Sequence, residues 1–142
     1  MTMVTVHWQK CIKNSLWCPF NEKLLNDGRL EARLGDYSVG INGIYIIWTG
    51  TDNNRTVLKV GSGIIKDKLA ADLKDPEIQA HKPARLYVTW GSTLSTIGPE
   101  KIQKGIEKFL GVVFKPKLAE HLPDVDLVMV NLPRWNKAVP PL

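Results

Sequence analysis

The sequence predicts a small α/β domain: a central, mostly antiparallel three-stranded sheet flanked by helices, with an N-terminal arm and a C-terminal extension. Three observations predict it. Residues 44–48 and 56–60 are apolar, β-branched and aromatic runs that bracket a turn cluster, the pattern of a β-hairpin. Ile65, Leu69 and Leu73 recur at the spacing of one helix face, and Ile102, Ile106, Phe109, Leu110 and Val113 mark a second apolar stripe. The length, 142 residues with 44% hydrophobic and 23% charged, suits one domain able to bury a core, read here as 1–142 with the core at about 40–131 and a packing arm over 1–39.

Taken in order, the arm is irregular. Val4-Thr5-Val6-His7-Trp8 alternates like a short strand, Trp17-Cys18-Pro19-Phe20 forms an apolar plug, and residues 22–26 suit a helical turn. The hairpin follows from Gly43, its second strand ending in the glycine turn Gly61-Ser62-Gly63 before the first helix, which Pro76 stops. Residues 85–90 alternate polar and apolar side chains and form the third strand, which Gly91 ends. Gly98-Pro99-Glu100 starts the second helix, closing before Pro116, with Lys101, Lys104 and Lys108 on its wet side. A last strand is predicted over 126–131, and the Pro-rich end beyond Pro133 is an irregular wrap.

Nineteen Lys and Arg against fourteen Asp and Glu give a formal net charge of +5, a balance that suits a polyanionic partner. No apolar run reaches the roughly 18 residues of a membrane span, and the first ten residues lack the apolar segment of a secretory signal, so the expected address is the cytoplasm, with no membrane partner. Cys11 and Cys18 are accordingly expected as free thiols, and their C-x6-C spacing does not suit a zinc knuckle. A Gly-x-Ser-x-Gly elbow, an HExxH helix and a CxxC redox motif are all absent.

Four features remain that carry chemistry. Tyr45 stands centrally in the first hairpin strand, where a phenol facing a cleft can take a proton from an attacking water; composition alone favours a core or cross-strand aromatic. Glu107 lies on the flank of the second helix's buried stripe, placed either to bind a hard divalent cation or to pair with Lys104 or Lys108. Gly61-Ser62-Gly63 offers bare backbone amides ahead of a helix, a candidate phosphate site, though it lacks the remaining residues of a dinucleotide or P-loop fingerprint. Lys66 and Lys68 diverge by roughly 200° around their helix, so only one of them can face a site at the strand ends.

In order and spacing, these segments resemble the GIY-YIG nuclease superfamily. Gly43-Ile44-Tyr45 matches the first motif, and Lys59-Val60-Gly61 stands where Tyr-Ile-Gly belongs. Residues 60–69 resemble the Val-Gly-x-Gly-x-Ile-Arg-Asp-Arg-Leu stretch of a bacterial branch. Gly105-Ile106-Glu107-Lys108-Phe109-Leu110 with Lys115-Pro116 resembles its metal-glutamate helix, and Val130-Asn131-Leu132-Pro133 its C-terminal signature, so the likeness runs from about Trp17 to Trp135.

The resemblance implies metal-dependent phosphodiester hydrolysis of nucleic acid, DNA in the first place. Tyr45 would be the general base or its assistant, Lys68 would stabilise the phosphate from the position of the family's arginine, and Glu107 would hold one Mg²⁺ or Mn²⁺. Gly61, Ser62, Gly63 and Lys66 complete the expected phosphate-binding set, with Lys59 as a second cation. Three positions depart from the family pattern: Lys59 replaces the second-motif tyrosine, Lys68 replaces the arginine, and Asp72 stands about where His or Tyr often follows. Lysine keeps the charge but loses the planar two-pronged donor, so a weakened nuclease is expected. The alternatives are a non-cutting nucleic-acid binder on the same fold and a scaffold repurposed for a protein or small ligand, the latter suggested by five tryptophans.

Overall fold

A computed structural model describes residues 3–13, 16–34, 37–51, 54–81, 85–92, 99–118 and 123–133. Its elements are β1 (Met3–Val4), β2 (His7–Lys10), β3 (Ile12–Lys13), β4 (Leu16–Trp17), two 3₁₀ turns (Leu24–Asn26 and Gly28–Leu30), β5 (Glu31–Leu34) and β6 (Tyr37–Gly40). Then come β7 (Asn42–Thr51), β8 (Asn54–Ile64), α1 (Ile65–Leu73), α2 (Pro76–Gln79), β9 (Leu86–Ser92), α3 (Pro99–Phe114) and β10 (Met129–Val130). The fold is mixed α/β. No helix among the described residues is long and apolar enough to cross a membrane.

The central sheet has four strands, in the order β2-β9-β7-β8, where three were expected. The extra strand comes from the arm: His7–Lys10 pairs antiparallel with β9, Trp8 opposite Gly91 and Lys10 opposite Thr89. An unpaired β9 edge would leave backbone donors and acceptors open, and the arm satisfies them. The alternation at 4–8 is therefore split between two strands. Met3–Val4 pairs in parallel with Met129–Val130, so the last strand is shorter than predicted. At the break, Asn131 Oδ1 accepts from the Val6 amide at 2.8 Å and Asn131 Nδ2 donates to the Val6 carbonyl at 3.0 Å.

β7 and β8 form the expected hairpin, but β8 runs on to Ile64. Gly61-Ser62-Gly63 is thus strand, opposite Tyr45, Ile44 and Gly43, rather than a turn ahead of the helix. Close approach requires glycine at 61: a Cβ there would overlap the Tyr45 ring and hydroxyl. Gly63, at φ +128°, holds a backbone conformation that side chains disfavour.

The pleat sorts the core into two layers. Tyr45, Ile47 and Leu58 pack with Ile65 and Leu69 of α1, Ile78 of α2, and Leu24 and Leu30 of the arm. Ile44, Ile46, Trp48, Val57 and Val60 pack on the opposite face with Ile106 and Leu110 of α3. A bulge interrupts the alternation, because Ile47 faces Lys59 whereas Trp48 faces Val57, leaving Leu58 as the inserted residue. Leu58 packs in the α1 layer, and its neighbour Lys59 reaches Asp72 of α1.

Pro76 ends further growth of α1 but also opens α2, where the Asp75 side chain accepts from the Glu77 amide at 2.9 Å. Val113, predicted on the buried stripe, is 37% exposed near the end of α3. Lys101 is exposed as expected, whereas Lys104 pairs with Glu107 and Lys108 donates to the Val125 carbonyl.

Cys11 and Cys18 form a disulfide, which corrects the expectation of free thiols. The hairpin β3–β4 explains it. Ile12 pairs with Trp17, and the Cys18 amide donates to the Cys11 carbonyl at 2.8 Å, so the two cysteines continue the ladder as facing residues with Cα atoms 5.3 Å apart. Asp52 and Asn53 of the hairpin turn, Gly98 before α3, Trp135 and the Pro-rich end lie outside the described residues.

Candidate active site

Three elements converge on the end of β8. Tyr45, from β7, lies over Gly61 and is 1% exposed. Ser62 points to the other face of the sheet, where its Oγ donates to Glu107 Oε2 of α3 at 2.8 Å. The Lys68 side chain of α1 crosses Gly63, its Cε 2.8 Å from the place a Cβ would occupy there. The strand end therefore carries a phenol above Gly61, a carboxylate on Ser62 and an ammonium chain over Gly63.

The electrostatics follow from burial and neighbouring charge. Burial is the largest cause that pushes the Tyr45 phenol well above its ordinary value; the neighbouring Asp72 carboxylate and the charge of Glu107 push the same way. Tyr45 thus holds its proton at neutral pH. Lys59 Nζ donates to Asp72 Oδ1 at 2.6 Å, and that carboxylate is only 4% exposed. Asp72 Oδ2 is buried with no hydrogen-bond partner among the described residues.

Lys66 and Lys68 separate as their helical spacing requires. Lys66 Nζ pairs with Glu31 Oε1 at 2.8 Å, toward the arm, whereas the Lys68 side chain runs over the strand end. The amides of Gly61 to Gly63 belong to a strand paired with β7 rather than to a loop ahead of a helix, and the Ser62 hydroxyl is engaged by Glu107. Of the expected phosphate-binding set, Lys66 is drawn away, while Gly61, Ser62 and Gly63 form the platform on which the other groups meet.

The sequence offered Lys104 as a partner of Glu107, whereas the Asp72 carboxylate as the partner of Lys59 was not anticipated. Lys104 Nζ lies 3.2 Å from Glu107 Oε2, one helical turn away, and shares that oxygen with Ser62. Asp72 follows Ile65 and Leu69 on the buried side of α1, and a carboxylate at that spacing was the signal that it needed a cationic partner.

No group of three His, Cys, Asp or Glu that could cage a metal ion occurs among the described residues. Glu107 is the carboxylate that the resemblance assigns to the divalent ion, and Mg²⁺ held by one protein carboxylate takes its other positions from water and substrate phosphate oxygens. In the structure, Lys104 and Ser62 share Oε2 of that carboxylate.

No family model, no curated protein and no solved structure matches the chain.

Proposed function

We propose that this chain is a GIY-YIG-type domain that hydrolyses phosphodiester bonds of nucleic acid, with a bound divalent ion, at the end of β8. The observation that supports it is that Tyr45, Glu107 and Lys68 lie against three successive residues, Gly61, Ser62 and Gly63, with Tyr45 and Glu107 on opposite faces of the strand end yet near enough for the Glu107 charge to act on the phenol. In this reading, a divalent ion on Glu107 supplies charge neutralisation at a phosphate oxygen. Lys68 places a flexible ammonium where negative charge develops, and Ser62 and Lys104 orient the Glu107 carboxylate. Tyr45 accepts a proton from the attacking water while passing its own to Asp72, since the protonated phenol is no base by itself.

The test is cleavage of supercoiled plasmid and a branched DNA with Mg²⁺ or Mn²⁺. Loss of cutting in both Tyr45→Phe and Glu107→Gln, with fold retained, is the expected result; cutting unchanged in both variants refutes this site.

A second reading is favoured by the 1% exposure of Tyr45 and by the engagement of Lys59 with Asp72. Groups satisfied by one another suit a domain that binds nucleic acid without cutting it. That reading expects salt-sensitive binding that needs no divalent ion.

A further inference from the structure

An open groove of about 770 Å³ lies against the arm, away from the strand end just described. One wall is the disulfide-closed hairpin β3–β4, another is the segment through the two 3₁₀ turns, and the third is Arg85 at the entry to β9. Its Arg85 end precedes β9 and lies five residues, or about 17 Å at the rise of a strand, from Trp90, the partner of Tyr45, whereas its Arg29 end reaches the Trp90 ring.

The charge in this groove is one-sided. Arg29 Nη2 lies 2.7 Å from Asp27 Oδ2, so the acidic residue of the lining is already neutralised. Arg29 is held further by the Lys10 carbonyl at 2.7 Å and by stacking 5.3 Å from the centre of the Trp90 ring. Lys13, Lys23 and Arg85 remain exposed, and none forms an ion pair within 4 Å among the described residues, although the Lys13 charge also acts on Asp27. These cations come from three separate segments, a spread that matches successive phosphates better than a single anion. The same groove offers apolar surface in Leu16, 71% exposed, and half-buried Trp17.

From this combination we infer that the groove is a second binding site, for a segment of single-stranded nucleic acid, with phosphates on Lys13, Lys23 and Arg85 and bases against Leu16 and Trp17. Its volume is in the range of small-ligand clefts, room for a few unstacked nucleotides. The inference rests on the nucleic-acid reading of the chain but not on cleavage. The disulfide holds the hairpin wall in place before binding, which lowers the ordering cost.

The experiment measures binding of a labelled oligodeoxythymidylate to the full chain in EDTA, by anisotropy, over a salt series. The triple variant Lys13→Gln, Lys23→Gln, Arg85→Gln is expected to bind at least tenfold more weakly, with a log–log salt slope shallower by about 2, at roughly 0.7 per phosphate contact. Lys101→Gln, on the exposed side of α3 and outside both sites, is expected to keep most of the affinity. Equal binding by the triple variant and the wild type, or tighter binding of a matched duplex than of the single strand, overturns the proposal. Turnover of a small phosphodiester, too short to reach the groove, separates the two claims. A wild type that cuts nothing yet loses binding in the triple variant leaves the groove standing and removes the nuclease reading; cutting with unchanged triple-variant binding does the reverse.

Discussion

Lys59 Nζ and Asp72 Oδ1 lie 2.6 Å apart, joining β8 to α1 beneath the sheet. These are two of the positions at which the chain departs from the family pattern it resembles, and the departures answer each other: a cation placed on the α1 face meets a carboxylate otherwise stranded in an apolar layer.

Removing one partner should cost more than removing both. Lys59→Met leaves an almost fully buried carboxylate alone, and because Lys59 itself is partly solvated the expected loss is about 2–3 kcal/mol, below the full range for buried pairs. Lys59→Met with Asp72→Leu should recover at least half of it. Urea melts of the two single variants and the double variant measure the coupling; additive losses would show that the pair carries none.

Gly61→Ala places a methyl group on the Tyr45 ring and hydroxyl. An overpacked contact of this kind costs about 1–3 kcal/mol, and thermal melts should show it. The double variant Gly61→Ala with Tyr45→Leu should relieve most of the loss, since the ring is the obstacle.

Tyr45 should give the fold an alkaline limit. Its folded value lies above the ordinary value of 10.0, so the unfolded chain ionises first as pH rises. The stabilisation is fully present below pH 10 and drains away as pH climbs above it toward the folded value. Denaturant midpoints measured at pH 8, 10 and 11 should fall for the wild type over the upper interval, and less steeply for Tyr45→Phe. Tyrosinate absorbance should show one tyrosine silent until the chain unfolds.

The Cys11–Cys18 crosslink closes a short ring, worth about 2 kcal/mol by chain entropy. The denatured, unreduced chain should show no reactive thiol. Cys11→Ser with Cys18→Ser should melt several degrees lower; an unchanged melting point would show that the hairpin holds without it.

If the strand-end site cuts, Lys68→Arg should raise the rate. Arginine at the same place keeps the charge and restores a two-pronged donor for the phosphoryl oxygens. Single-turnover cleavage by the two proteins tests it, and a slower Lys68→Arg would remove Lys68 from the phosphate.

Periodicity was enough to locate the hairpin, α1, β9 and α3, because each buries a face whose apolar spacing is written locally: Ile65 and Leu69 on α1, Ile106 and Leu110 on α3. Helical spacing likewise required Lys66 and Lys68 to part company. It could not show that Lys66 would turn to Glu31, a partner 35 residues away. Nor could local pattern show that His7–Lys10 would complete the sheet, that Cys11 would face Cys18, or that Ser62 would orient Glu107 across 45 residues. Strand pairing and charge pairing are settled by which edges and which uncompensated charges the fold leaves open. Those are created only when distant segments come together, so the tertiary structure alone decided them.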